Sequence, residues 1–108
     1  MPAPDRLKFI YLLRLSRPEA FIAPTPDEEA VISVHFQRLQ EALRQGHLIL
    51  AGPCLDGAFG VVILYASSLE EARAFMEADP AVRDGVMKAE LHPFHISLPG
   101  ESERSEEP

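Results

Sequence analysis

Cysteine is nearly missing from this chain, which has a single copy, Cys54, and basic residues are outnumbered, with ten Lys and Arg against seventeen Asp and Glu. A lone thiol cannot close an internal disulfide or build a structural zinc cluster. Cys54 lies in the turn-rich run Gly52-Pro53-Cys54-Leu55-Asp56-Gly57 with no histidine adjacent in sequence, so it reads as an idle small residue rather than a nucleophile. The formal charge of −7 and the lack of any Lys/Arg stripe argue against a phosphate-backbone footprint, and nucleic acid is excluded as a partner. No apolar leader segment and no run of membrane length is present, so no membrane association and a cytoplasmic location are expected.

What remains is typical of one globular domain: 108 residues, 46% hydrophobic and 25% charged. A chain this short buries roughly 65% of its unfolded surface, so its core is thin and oligomerisation would add to it. The domain is expected over residues 1–98. Residues 99–108 form an acidic tail, and from Glu101 onward they offer no apolar side chain to bury, so disorder is expected there.

Period-2 alternation makes Leu7 to Leu15 a first strand, with Leu7, Phe9, Tyr11, Leu13 and Leu15 on one face and Ile10 and Leu12 on the other. Thr25-Pro26-Asp27-Glu28 carries an N-cap, a first-turn proline and a capping-box glutamate, opening a helix that runs to about Gln45 and stops at Gly46. Two strands, His47–Ala51 and Gly60–Ala66, are spaced as a hairpin. Ser68 and Glu71 cap a second helix ending near Asp79-Pro80, and a last strand spans Lys88–Leu98, with Pro93 demanding an edge position.

The order β-α-β-β-α-β defines an α+β, ferredoxin-like sandwich on a four-stranded antiparallel sheet. Two helices cover one sheet face. The unbroken run Val61-Val62-Ile63-Leu64-Tyr65 and the doubly apolar first strand predict that the other face is buried too, most simply by a second copy of the chain.

At about 100° per residue, Val31, Ile32, Phe36, Leu39, Ala42 and Leu43 form one stripe of the first helix, and His35 falls inside it. Leu69, Ala72, Phe75 and Met76 form the buried stripe of the second helix, which Asp79 continues. Both residues therefore face inward. An inward carboxylate at a helix C-terminus opposes the macrodipole and needs a donor, which an imidazole supplies. Such a pair is a general acid/base device: the carboxylate fixes the tautomer and leaves one ring nitrogen for a substrate proton. The competing reading makes His35 a core histidine and Asp79 the N-cap of the turn Pro80-Ala81-Val82-Arg83, and periodicity alone does not separate the two.

Arg14 and Arg17 are candidates to meet an anionic substrate group, set against ordinary solvated strand ends. Gly52 and Pro53 either shape a pocket wall or make a plain turn, and Phe94 and Phe21 either line the pocket or pack the core. His47, His92 and His95 share no local ligand spacing, so no metal and no other cofactor is expected.

The runs His35-Phe36-Gln37-Arg38-Leu39 and Gly46-His47-Leu48-Ile49-Leu50-Ala51-Gly52-Pro53, followed by Asp56-Gly57, Ser68-Leu69-Glu70-Glu71-Ala72, Asp79-Pro80 and Gly85-Val86, resemble the YCII-related family of dimeric α+β barrel proteins over roughly residues 7 to 98. The resemblance implies a ferredoxin-like protomer, a homodimer, and a catalytic pair carried by His35 and Asp79. One enzyme type of that family eliminates HCl from a chlorinated hydroxyhydroquinone, which implies proton transfer on small cyclic or aromatic compounds. The longer linker Arg17 to Pro24 departs from the shortest members. A lyase or isomerase-type enzyme is the leading expectation, and a non-catalytic small-molecule-binding module is the alternative.

Overall fold

The computed structural model of the chain describes residues 6–100. The expectation of a disordered Glu101–Pro108 tail lies outside the described residues. Strand β1 (Leu7–Leu15) is followed by a 3-10 turn (Pro18–Phe21), helix α1 (Pro26–Arg44), strands β2 (Leu48–Pro53) and β3 (Gly60–Ala66), helices α2 (Leu69–Glu77) and α3 (Pro80–Arg83), and strand β4 (Met87–Phe94). The sheet order is β2-β3-β1-β4, with every pairing antiparallel. This is the ferredoxin-like α+β arrangement read from the sequence, with β4 and its Pro93 at an edge.

Local chemistry sets the boundaries. Thr25 accepts from the Glu28 backbone at 3.1 Å while the Glu28 carboxylate accepts from the Thr25 backbone at 2.8 Å, so the capping box is complete. At the other end Gly46 takes φ of +81°, and His47 N–H donates to the Ala42 carbonyl at 2.9 Å, closing the last turn as a glycine-dependent cap. Strand β4 stops at Phe94 rather than Leu98. The last pair with β1 sets Lys8 opposite Phe94, and among the described residues of β1 only Leu7 lies beyond it. Strand β2 runs to Pro53, beyond the expected Ala51, and has a bulge between Leu48 and Leu50, a device that bends and twists an edge strand.

Phe9, Tyr11 and Leu13 from β1, Val62, Leu64 and Ala66 from β3, and Leu48 from β2 meet Leu39 and Ala42 of α1 and Ala72 and Met76 of α2 in one core. Register puts Ile10, Leu12, Val61, Ile63 and Tyr65 on the opposite, helix-free face. Charged groups also lie on that face: Arg14 pairs with Glu90 at 3.1 Å, and Lys8 sits 5.7 Å from the Tyr65 ring. It is apolar in the middle and polar towards β4.

The stripe on α1 is buried only in part. Leu39, Ala42 and His35 are covered, whereas Phe36 is 59% and Leu43 56% exposed, and Val34 points to solvent. The sequence reading counted Phe36 and Leu43 as burial. In the single chain they flank an open space between helix and sheet instead.

Candidate functional site

His35 sits near the middle of α1, and Asp79 is the second residue of the two-residue joint, Ala78-Asp79, between α2 and α3. Pro80 and the N-capping geometry of Asp79 turn the chain there: the Ala81 backbone N–H donates to Asp79 Oδ1 at 3.0 Å. The same oxygen lies 2.7 Å from His35 Nδ1, and Oδ2 lies 2.9 Å from it. Both readings of Asp79 therefore hold at once, because a carboxylate has lone pairs enough for a cap and for an imidazole. The joint also removes the macrodipole conflict, since Asp79 ends one helix but begins the next.

Asp79 has no exposed surface and His35 retains 8%. Burial is the largest influence on Asp79 and acts to raise its pKa. The His35 hydrogen bond and charge, the Ala81 N–H and the Tyr11 hydroxyl together outweigh it and hold the carboxyl below the usual carboxylate value. An ionised carboxylate only accepts, so Nδ1 of His35 carries the hydrogen, and in the neutral form of the ring Nε2 is the nitrogen with the lone pair. Nε2 has no hydrogen-bond partner among the described residues.

His35 lines a cavity of about 880 Å³ between α1 and the β2–β3 half of the sheet. Ile32, Phe36, Leu39 and Leu43 form its helical wall, and Leu48 and Val62 are part of its sheet wall. The volume is within the range of about 300–1,000 Å³ usual for small-molecule sites. Gly52 and Pro53 belong to the wall, as does Cys54. Phe21 closes over the Cys54–Phe59 loop: Gly57 has φ of +80°, and a Cβ there would stand 2.7 Å from Phe21 Cδ2.

Arg14 and Phe94 do not join His35. Arg14 pairs with Glu90 on the helix-free face, and Phe94, opposite Lys8, projects from that same face, because both fall on the outward parity of their strands. Arg17 is also engaged elsewhere: it forms a two-bond pair with Glu28 at 3.0 and 2.8 Å and donates to the Ala23 carbonyl at 3.0 Å, so it ties the linker to the start of α1. Among the described residues no group of three or more His, Cys, Asp or Glu side chains could hold a metal ion, and His92 lies 2.7 Å from Glu90.

Sequence reasoning missed Tyr11. It read this residue as one apolar position of the first strand, yet its hydroxyl donates to Asp79 Oδ2 at 2.9 Å and the residue is fully buried. Burial, then the Asp79 charge and hydrogen bond, push the phenol far up, so it stays a protonated donor. The available signal was chemical: a tyrosine on a core-facing strand position needs a partner for its hydroxyl, and Asp79 was the carboxylate already read as inward.

The fold and this inward pair place the protein among small ferredoxin-like α+β domains. The model of the YCII-related domain matches residues 9–95, and the chain belongs to that family. Among solved structures it is similar to 5-chloro-2-hydroxyhydroquinone dehydrochlorinase from Burkholderia phenoliruptrix AC1100, in complex with 2,5-dihydroxybenzoquinone, at 18% identity and a TM-score of 0.53, over 81% of this chain and 93% of that one. At that identity the likeness speaks for the fold. No curated protein sequence matches the chain significantly. No helix among the described residues is long and apolar enough to cross a membrane.

Proposed function

We propose that the chain is a proton-transfer enzyme of lyase or isomerase type, with His35 as general base and acid and Asp79 as the group that orients it. One observation carries the reading: a histidine in the wall of a cavity of about 880 Å³ has its Nδ1 against a buried carboxylate and its Nε2 without a partner among the described residues. In the reaction Nε2 takes a proton from a bound substrate, and the imidazolium is stabilised through Nδ1–H by Asp79. The proton then returns at another atom, in an isomerisation, or the electron pair left behind expels a leaving group, in an elimination. The structural neighbour's own chemistry, a dehydrochlorination, is of the second kind.

The substrate class follows from the wall. Its lining residues include no Lys or Arg, and most are aliphatic or aromatic, with Glu29, Ser33, Gln40 and Cys54 as the other polar positions. A small, mainly apolar cyclic compound suits such a wall better than a phosphate ester, which would need a cation. Gly52 and Pro53 contribute shape and backbone.

The helix-free face supports a homodimer as part of the same proposal. Its apolar middle, with Ile10, Leu12 and Val61 only half-buried in the single chain, gives a second copy something to cover.

The test is a metabolite panel against the full chain, His35→Ala and Asp79→Asn. Conversion by the parent chain that falls in both variants supports an enzyme. Saturable binding with no conversion, equal in all three proteins, replaces it with a binding module.

A further inference from the structure

Three donors from three elements converge on one carboxylate. Oδ1 of Asp79 receives Ala81 N–H from α3 and lies 2.7 Å from His35 Nδ1 of α1, while Oδ2 receives the Tyr11 hydroxyl from the centre of β1. Tyr11 and Asp79 have no exposed surface, so no water competes for that bond. His35 in the wall is thus the visible end of a chain, Tyr11–Asp79–His35, that enters the core.

We propose that Tyr11 is a positioning residue of this site, whose hydroxyl holds Oδ2 of Asp79, fixes the carboxylate against His35 and sets the basicity of the imidazole. This rests on the acid/base reading of His35 given above. A hydroxyl that donates to a carboxylate takes up part of its negative charge. The remaining charge facing Nδ1–H is smaller, and an imidazolium is stabilised less. Tyr11 therefore keeps His35 a weaker base than a bare His–Asp pair would be, in a cavity where desolvation strengthens every such contact. The ionisable groups acting on the hydroxyl are Asp79 and, from α1, Arg38, whose guanidinium stacks 4.0 Å over the Phe75 ring. Neither changes in the variants below.

The experiment follows the His35 ring nitrogens by long-range proton–nitrogen NMR across pH in the full chain. Tyr11→Phe keeps the ring and removes the donor. Incorporation of 3-fluorotyrosine makes the phenol a stronger donor without altering the fold, and the second tyrosine, Tyr65, lies on the other sheet face. Tyr11→Phe is expected to raise the proton affinity of His35 by about twofold or more, fluorination to lower it, and Leu64→Ala, a core change on β3 that removes no donor from Asp79, to lower stability while leaving the titration in place. Opposite shifts in the two Tyr11 proteins support the proposal. A His35 titration unmoved by fluorination, or moved in the same direction by both changes, overturns it and leaves Tyr11 as core packing. If Tyr11→Phe does not fold, the fluorinated protein alone decides. A parent protein whose His35 carries its hydrogen on Nε2 instead would overturn the acid/base reading itself, an outcome separate from the first.

Discussion

Oδ1 of Asp79 caps the helix that begins at Pro80 and lies 2.7 Å from Nδ1 of His35, so one oxygen joins local backbone geometry to a side chain 44 residues away. The carboxylate is held by its own turn, by the imidazole and by the Tyr11 hydroxyl. A fully buried charge is tolerated there because each of these partners donates to it.

The two functions of Asp79 separate by mutation. Asp79→Asn keeps an acceptor for Ala81 N–H but removes the charge, whereas Asp79→Ala removes both. Asp79→Ala is expected to cost about 3–5 kcal/mol, because it orphans His35, Tyr11 and the cap together, and Asp79→Asn less. Urea unfolding with unchanged slope measures the two. Equal losses would mean that the cap contributes nothing.

Acid should weaken the fold through this residue. The folded Asp79 has a pKa below its unfolded value of about 3.9, so its contribution is fully present above that value and is lost as pH falls through the lower, folded one. Glu28 acts in the same sense: the Arg17 hydrogen bond, then that from Thr25, bring it to about 2. Stability should hold near neutrality and decline below about pH 4. In Asp79→Asn that decline should be shallower, and an unchanged acid profile would remove Asp79 from this account.

Gly57→Ala should loosen the cavity wall at Phe21. The position has φ of +80° and a Cβ would meet the Phe21 ring at 2.7 Å, so either the loop or the ring must move, at a cost of about 1–2 kcal/mol. Thermal unfolding checks the cost, and fluorescence of an environment-sensitive label at Cys54, in the same wall, checks the movement. A variant as stable as the parent would show that the loop is not held by Phe21.

Assembly provides a further test. A dimer built on the helix-free face should bury at least about 1,200 Å² and sediment as a single species at micromolar concentration. Leu12→Glu, at the middle of that face and only half-buried in the single chain, should yield a folded monomer. A monomeric parent chain would instead leave the face uncovered.

Much of this arrangement was legible in the sequence because its signals are local. The Thr25–Glu28 box, the left-handed Gly46 and the edge position of Pro93 each follow from the chemistry of a few neighbouring residues, and the topology follows from their order. Helical periodicity turned His35 inward, and Asp79 was reached by extending the stripe of α2. What was not legible depends on long-range register. Phe94 needed the pairing of β4 with β1 to show which face it takes, whereas the alternation of β1 already set Arg14 with Ile10 and Leu12, and the bulge at β2 leaves no mark in the sequence. Tyr11 was hidden because an aromatic residue on a core strand satisfies the apolar pattern as well as a phenylalanine would. Its hydroxyl finds its partner 68 residues later. Phe36 and Leu43 were misjudged since an amphipathic stripe marks a face to be covered and does not say whether sheet, ligand or second chain covers it.

The most direct measurement is the turnover of a substrate found by the metabolite panel, compared between the parent chain and His35→Ala at equal folded concentration. The account requires a loss of roughly 10²-fold or more in His35→Ala, matched in direction by Asp79→Asn, with secondary structure and assembly unchanged. A His35→Ala protein that converts the substrate as fast as the parent would contradict it, and would make His35 a core histidine that happens to border a cavity.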